Sequence, residues 1–395
     1  MKILFLNTCY PYGSTGKIVA ALENYYNEVG HTTTVVYGQG KKTDDNHFRV
    51  ANDLYLKIQA LRRRVTGIMY GGCFFSTKKV QHLIQKYNPD IVHLHCLNSN
   101  FVNIFKLITW LKENHIPTVL TNHAEFMYTA NCGYAFECQK YQTGCGNCPR
   151  LKAETRSWFV DGTQKSWRMM QKAFDGFDSL VITNVSPWLA ERAASSTILK
   201  NFNHYTVLNG VDTTVFHYTS NYNSNETKTV LHVTAKFSED INDRKGGRYV
   251  IELAKKFEGQ NVKFIVAGKY SPDIVVPANV ELLGNVADQN QLAELYSKAD
   301  VVVLTSKKET FSMITAESLC CGTPVVGFKA GSPELIAIRE YSEFVEHGDV
   351  EALYNATQKL LVASVDKVEI AKAAHEKYSK EKMAEEYIKI YKKCI

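Results

Sequence analysis

At 395 residues the chain is too long for one ordinary domain, and at ~150 residues per domain it reads as two or three. With 45% hydrophobic, 22% charged and 11% aromatic residues it has a globular composition, which excludes disordered, collagen-like and coiled-coil chains. The formal net charge of +6 hides an asymmetry: residues 1–200 carry 23 Lys and Arg against 14 Asp and Glu (+9), and residues 201–395 carry 23 against 26 (−3).

The N-terminus, Met1-Lys2-Ile3-Leu4-Phe5-Leu6-Asn7, turns polar too early for a signal peptide, which predicts a cytoplasmic protein. Apolar runs such as Val301 to Leu304 are far shorter than the roughly 18 residues a membrane span needs. Hydrophobic periodicity predicts a strand over Lys2–Asn7, a helix over Ile18–Val29 and strands over Thr33–Tyr37 and Ile91–Leu94. A helix over Phe101–Asn114, strands over Thr118–Asn122 and Ser179–Asn184, and a helix over Pro187–Ala194 follow. The alternation then restarts: strands Thr229–Thr234, Val262–Ala267, Val280–Leu283, Val301–Leu304 and Pro324–Phe328 are interleaved with helices Gly247–Phe257, Gln289–Lys298 and Ser312–Cys320. Strands separated by helices imply parallel sheets, hence two doubly wound α/β units. Asn201–Thr206 reads as the link between them, and the polar stretch Tyr218–Lys228 as a surface loop inside the second. Ligands of such folds bind at the carboxyl ends of the strands, so two facing units would share a central cleft.

Two segments stand outside this pattern. From Leu54 to Pro89 there is no acidic residue, while Lys57, Arg62, Arg63, Arg64, Lys78, Lys79 and Lys86 fall there among Leu61, Val65, Ile68, Met69, Tyr70, Phe74 and Phe75. Residues 57–79 read either as a segment for an anionic membrane surface or as a solvated basic face. Further on, Cys132, Cys138, Cys145 and Cys148 form C-x5-C-x6-C-x2-C within seventeen residues. In a reducing compartment that spacing suggests a structural zinc, with free or occasionally oxidised thiols as the alternative; four thiolates would leave no open catalytic position.

Gly13-Ser14-Thr15-Gly16-Lys17 follows the first strand but is not a Walker A loop, because Pro11 stands at the leading glycine and Ile18 at the Ser/Thr. It is a glycine-bearing turn at a helix N-terminus, able to admit a phosphate or merely to turn tightly. The richest constellation is Ser306 to Val326, with Glu309 and Glu317 eight apart. Twenty-five glutamates would give about 1.6 such pairs by chance, and Glu343 with Glu351 is another. Position separates them: Glu309 follows a buried strand and Glu317 lies on the next helix, whose N-terminus at Thr310–Met313 would offer N–H groups to a diphosphate.

Residues 297–336 resemble the signature of the retaining, GT-B-fold glycosyltransferases of family 4. The likeness rests on Ala299-Asp300, the strand, E-x7-E, Cys321-Gly322-Thr323-Pro324-Val325-Val326 and Gly331-Ser332-Pro333-Glu334. Asn209-Gly210-Val211-Asp212 and Asp243-Arg244-Lys245-Gly246-Gly247 match two further family elements, and the cysteine-rich loop resembles that of a subset building bacterial exopolysaccharide or capsule. Two departures are Ala124 after His123, where an acid is common, and Lys236 where arginine is usual.

The resemblance implies an α/β GT-B fold of two Rossmann-like doubly wound domains facing a central cleft. Residues 1–205 would bind acceptor and carry the cysteine loop 131–149, residues 206–376 would bind the nucleotide sugar, and a helix over 377–395 would cross back to the first domain. It implies catalytic roles for His123, Glu309 and Lys245. Lys245 would neutralise the donor's phosphates, with Lys236 or Arg244 as second cation; Glu309 would hold the transferred sugar and Glu317 the ribose. Thr310, Phe311, Ser312 and Met313 would present backbone N–H groups, Gly16 would approach the phosphates, and the role of the acid missing at Ala124 is lost or passes to Glu125. The implied reaction moves a sugar, UDP-linked foremost, to a saccharide or lipid-linked saccharide, without a catalytic metal and at the inner face of the cell membrane. A binding protein or epimerase of the same fold is the alternative. A zinc-stabilised nucleic-acid-binding protein fits less well, since the second half is acidic and the cysteine loop lacks basic-aromatic flanks; nucleic acid is not an expected partner.

Overall fold

The computed structural model describes residues 1–40, 45–219 and 227–395. The chain forms two compact units, Met1–Val207 with Ala384–Ile395, and Leu208–Met383. Of the stretch read as a surface loop, residues 220–226 lie outside the described residues.

Among the described residues, the first unit holds a seven-stranded parallel sheet. Its strands are β1 (Lys2–Cys9), β2 (Thr32–Gln39), β3 (His47–Arg49), β4 (Ile91–Leu94), β5 (Thr118–Asn122), β6 (Leu180–Asn184) and β7 (His204–Thr206), in the order β3-β2-β1-β4-β5-β6-β7. The second unit holds β8 (Lys228–Lys236), β9 (Val262–Lys269), β10 (Val280–Gly284), β11 (Val301–Leu304), β12 (Val325–Phe328) and β13 (Ser342–Val345), in the order β10-β9-β8-β11-β12-β13, again parallel. Both orders reverse beside their first strand, the Rossmann topology, so the loops after β1 and β4 and those after β8 and β11 flank a switch point.

The sequence explains the elements that bear on the site. A parallel strand covered on both faces tolerates a continuous apolar run, and all four side chains of β11 are buried. The crossover helix Ile104–Glu113 is capped by Asn103, whose side chain accepts from Lys106 N at 3.0 Å, and it buries Ile104, Leu107, Ile108 and Leu111 on one stripe. In the second unit Val230, Phe264, Val266, Val303 and Phe328 from the strands pack with Val250 and Leu253 of the helix Gly247–Lys256 in one core.

Some expectations need correction. Residues 204–206 are not linker but the edge strand β7, paired with β6. The first helix starts at Gly13, before the apolar repeat, because Gly13 sits at φ +72 and turns the chain directly out of β1. The basic segment forms two helices, Asp53–Thr66 and Phe74–Tyr87. The C-terminal region is broken into helices Lys367–Tyr378 and Lys380–Cys394. Residues 377–383 belong to the second unit, where Lys380 N donates to Val211 O at 3.1 Å. From Ala384 on, the chain packs in the first unit: Tyr26 OH donates to Ala384 O at 2.9 Å, and Tyr387 and Tyr391 are fully buried.

Candidate functional site

The loops after β8 and β11 bring the acidic and basic motif residues together at the switch point of the second unit. Lys245 Nζ lies 2.5 Å from Glu309 Oε1, joining two residues 64 apart in sequence. The Lys245 backbone is pinned on both sides: Thr305 Oγ1 donates to its carbonyl at 2.9 Å, and its N–H donates to Asp243 Oδ1 at 3.2 Å. The following Gly246 is at φ +68, and a Cβ there would meet Thr305 O at 2.3 Å, so backbone angle and close approach both require glycine. Lys307 N donates to Arg244 O at 2.8 Å, tying the two loops a second time.

Glu309 is buried, at 8% exposure, and its backbone is not free loop. Its N–H donates to Ala330 O at 3.0 Å and it bridges Gly331 in parallel. The Glu334 carboxylate in turn accepts from Ala330 N at 3.0 Å and Gly331 N at 2.9 Å. The Gly331-Ser332-Pro333-Glu334 motif is therefore a latch that holds the strand-like stretch on which Glu309 rests. The helix Met313–Cys320 begins one residue later than the apolar pattern suggests, because Ser312 is its cap: at φ +95 its hydroxyl accepts from Thr315 N at 3.2 Å. Thr310 and Phe311 precede the helix and Met313 is its first residue. Glu317, one turn on, accepts from the hydroxyl of buried Tyr296 at 3.2 Å. Burial keeps that phenol well above its usual pKa, hence a donor to the carboxylate. Lys236 is exposed at the end of β8 and Arg244 is half-buried in the next loop.

The first unit carries a histidine chain at the ends of the neighbouring strands β4 and β5. His123 follows β5, with its Nε2 3.0 Å from His95 Nδ1. His95 packs against His93 in a tilted pair with ring centroids 3.9 Å apart, and His93 contacts Tyr391 OH at 2.6 Å and Thr121 Oγ1 at 2.7 Å. Burial pushes the His123 imidazole down to about 4 and holds His93 and His95 well below the usual range. In the second unit burial likewise takes His232 to about 4; its Nδ1 lies 3.1 Å from Val303 O. All are neutral near pH 7.

A histidine whose folded pKa is depressed binds its proton more readily when unfolded, so it contributes stability above its unfolded pKa of ~6.5 that is lost as pH falls towards the folded value. Melting temperature should accordingly hold near neutrality and drop between about pH 6.5 and 4, His232 alone accounting for roughly 3 kcal/mol at the acid end. A flat melting profile over that window would contradict the buried neutral assignment.

Gly16 lies in the first turn of the first helix, where a Cβ would meet Cys9 O at 3.0 Å and Cys9 Sγ at 3.3 Å, so its smallness lets the helix N-terminus pack closely on the end of β1. Glu125 does not inherit the role of the acid missing at Ala124. It is fully buried, and its carboxylate accepts from Arg192 Nε and Tyr128 OH, each at 2.7 Å, and from Ala135 N at 2.5 Å. The four cysteines of the loop lie in the connection from β5 to β6, apart from the loops that flank the two switch points. Among the described residues no three His, Cys, Asp or Glu side chains are grouped as a metal ion requires. The turn between Cys145 and Cys148 closes on the Lys140 ammonium, which donates to Gly146 O at 2.8 Å and Asn147 O at 2.9 Å. The Cys145 thiol points to Thr129 O at 3.5 Å, and burial raises its pKa to about 12.

Sequence reasoning passed over Tyr296, Thr305 and His95, all buried polar partners of the named residues. No motif marks Tyr296 or Thr305, whereas His93-x-His95 at the end of a strand is a legible signal.

Two Rossmann-like units, with a Lys–Glu pair and a helix N-terminus at one switch point, make up a doubly wound α/β protein. Residues 15–215 match the family model described as Glycosyltransferase Family 4, and residues 228–362 that described as Glycosyl transferases group 1. The chain belongs to glycosyltransferase family 4 and is a glycosyltransferase. It is 21% identical over 399 residues to the putative colanic acid biosynthesis glycosyl transferase WcaC of Escherichia coli K12, covering 97% of this chain and 90% of that protein. Among solved structures it is similar to sucrose-phosphate synthase from Thermosynechococcus elongatus, with a TM-score of 0.69 at 15% identity, covering 100% and 98% of the two chains. It is also similar to Anabaena HepE in complex with UDP, with a TM-score of 0.65 at 14% identity and both chains fully covered. These likenesses give the GT-B fold.

Proposed function

We propose that the protein transfers a sugar, with retention of anomeric configuration and without a catalytic metal, from a nucleoside-diphosphate sugar to a saccharide or lipid-linked saccharide in bacterial surface polysaccharide synthesis. The observation that carries this reading is the Lys245–Glu309 pair, fixed by two loops beside the N-terminus of the helix Met313–Cys320. UDP is the favoured nucleotide, supported by the UDP complex of HepE, and the polysaccharide setting is supported by the name of WcaC.

In this mechanism the acceptor oxygen bonds to the anomeric carbon as the bond from that carbon to the β-phosphate oxygen breaks. The acceptor's hydroxyl proton passes to the departing phosphate oxygen. Charge growing on the diphosphate is met by the Lys245 ammonium, with Lys236 or Arg244 as a second cation, and by the N–H groups of the 310–313 stretch, a preorganised arrangement that costs no reorganisation during the reaction. Glu309 accepts from hydroxyls of the sugar, and Glu317, oriented by Tyr296, accepts from the ribose. His123 serves as a neutral hydrogen-bonding group. The test is transfer from UDP-sugars in the presence of a chelator, with the product anomer read by NMR. Chelator-resistant transfer with the donor's configuration kept is the expected result. An inverted product or loss of activity on chelation would overturn the retaining or the metal-free part.

A further inference from the structure

No residue of the helix Asp53–Thr66 is fully buried, an unusual state for a helix of 14 residues. Its apolar side chains Leu54, Ile58, Leu61 and Val65 are all exposed and recur at i, i+4, i+7 and i+11, one stripe turned to solvent. At 100° per residue, Lys57 and Arg64 border this stripe on one side and Arg62 on the other.

Two further apolar groups are pinned to the same helix. At its C-terminal end Arg64 O accepts from Trp158 N at 2.8 Å and from Ser157 Oγ at 3.3 Å, and the Arg64 guanidinium lies 5.6 Å from the Trp158 ring. The loop thus held projects Trp158, Phe159 and Val160, with Phe159 78% exposed. Midway along the helix, Gln59 Oε1 accepts from Cys73 N at 3.0 Å and fixes the start of the helix Phe74–Tyr87, where Phe75 is 76% exposed. Lys78 lies 4.7 Å from the Phe74 ring. The acids beside these segments are engaged: Asp53 pairs with Arg49, and Asp161 accepts from Cys148 N and Thr163 N.

We propose that this surface of the first unit docks on an anionic phospholipid surface, the stripe and the two aromatic tips entering the interface while the flanking cations meet the headgroups. Charge complementarity selects this occupant. No acid lies between Leu54 and Pro89, so a second copy apposed on the same face would bring cations against cations. Tryptophan beside arginine is suited to the boundary between headgroup and acyl chain. The surface contains none of the donor-site residues, so vesicle binding, read without donor or acceptor, stands or falls separately from the transferase mechanism.

The experiment is flotation with vesicles of phosphatidylcholine alone and of equal parts phosphatidylcholine and phosphatidylglycerol, at low and high salt. The intact protein should float with the anionic vesicles only, and less at high salt. The double variant Phe75→Ser/Phe159→Ser should bind about tenfold or more weakly at an unchanged melting temperature. Lys57→Glu/Lys78→Glu, which changes only exposed side chains, should do the same and keeps the test decisive if the first variant folds poorly. Absence of anionic flotation, equal binding to neutral vesicles, or variants that bind like the parent would overturn the proposal. So would a dimer in solution that the phenylalanine variant dissociates.

Discussion

Glu309→Gln should lower the rate of sugar transfer by about a hundredfold or more, while the protein melts close to the parent temperature. The estimate follows from two charge-assisted hydrogen bonds to sugar hydroxyls at roughly 1.5–3 kcal/mol each. Glutamine keeps the shape and can still accept from Lys245, and the backbone remains latched by Ala330, Gly331 and Glu334. The loss should appear in kcat and in kcat/KM together, because the hydroxyls are held in the transition state. Parent-like turnover in this variant would remove Glu309 from the mechanism.

Lys245→Ala should act twice. Affinity for UDP should fall by about a hundredfold, since one charged contact to phosphate is worth roughly 1.5–3 kcal/mol. Stability should fall as well, because the Glu309 carboxylate would keep its burial and lose its ion pair. With the lysine side chain 25% exposed and the glutamate 11%, water relieves part of that penalty, so about 1–2 kcal/mol is expected rather than the full cost of breaking a dry pair. The double variant Lys245→Ala/Glu309→Gln separates the two effects. It should regain most of the stability and none of the activity, a coupling that calorimetry and kinetics can both read. If the double variant melts as low as Lys245→Ala alone, the pair is not what stabilises this loop.

The doubly wound architecture was legible because buried parallel strands such as Val301–Leu304 and Ile91–Leu94 are short apolar runs between amphipathic helices. What escaped were elements whose stability comes from partners. The edge strands His47–Arg49, His204–Thr206 and Ser342–Val345 have only partly buried side chains and little periodicity of their own. Helix Asp53–Thr66 read as a basic run because its apolar stripe faces solvent rather than a core. At the site, Glu309, Glu317 and Lys245 were visible as motif residues, but motif spacing cannot say that Lys245 and Glu309 touch, that Tyr296 orients Glu317, or that Glu334 is a latch. The cysteine loop shows the same limit. C-x2-C with glycine is metal-like in sequence, and no spacing rule says that the ammonium of Lys140, five residues before Cys145, donates to the carbonyls of that turn.

The most direct test of the central claim, that the second unit's switch point holds a nucleoside-diphosphate sugar on Lys245 and Glu309, is the melting temperature of the parent and of Lys245→Ala across a panel of nucleotide sugars in chelator. A ligand at a hundred times its dissociation constant adds about 2.7 kcal/mol to the folded state, a shift of a few degrees. The parent should be stabilised by at least one UDP-sugar and Lys245→Ala by none at the same concentration. Equal shifts in both proteins, or no shift of the parent by any nucleotide sugar, would contradict it.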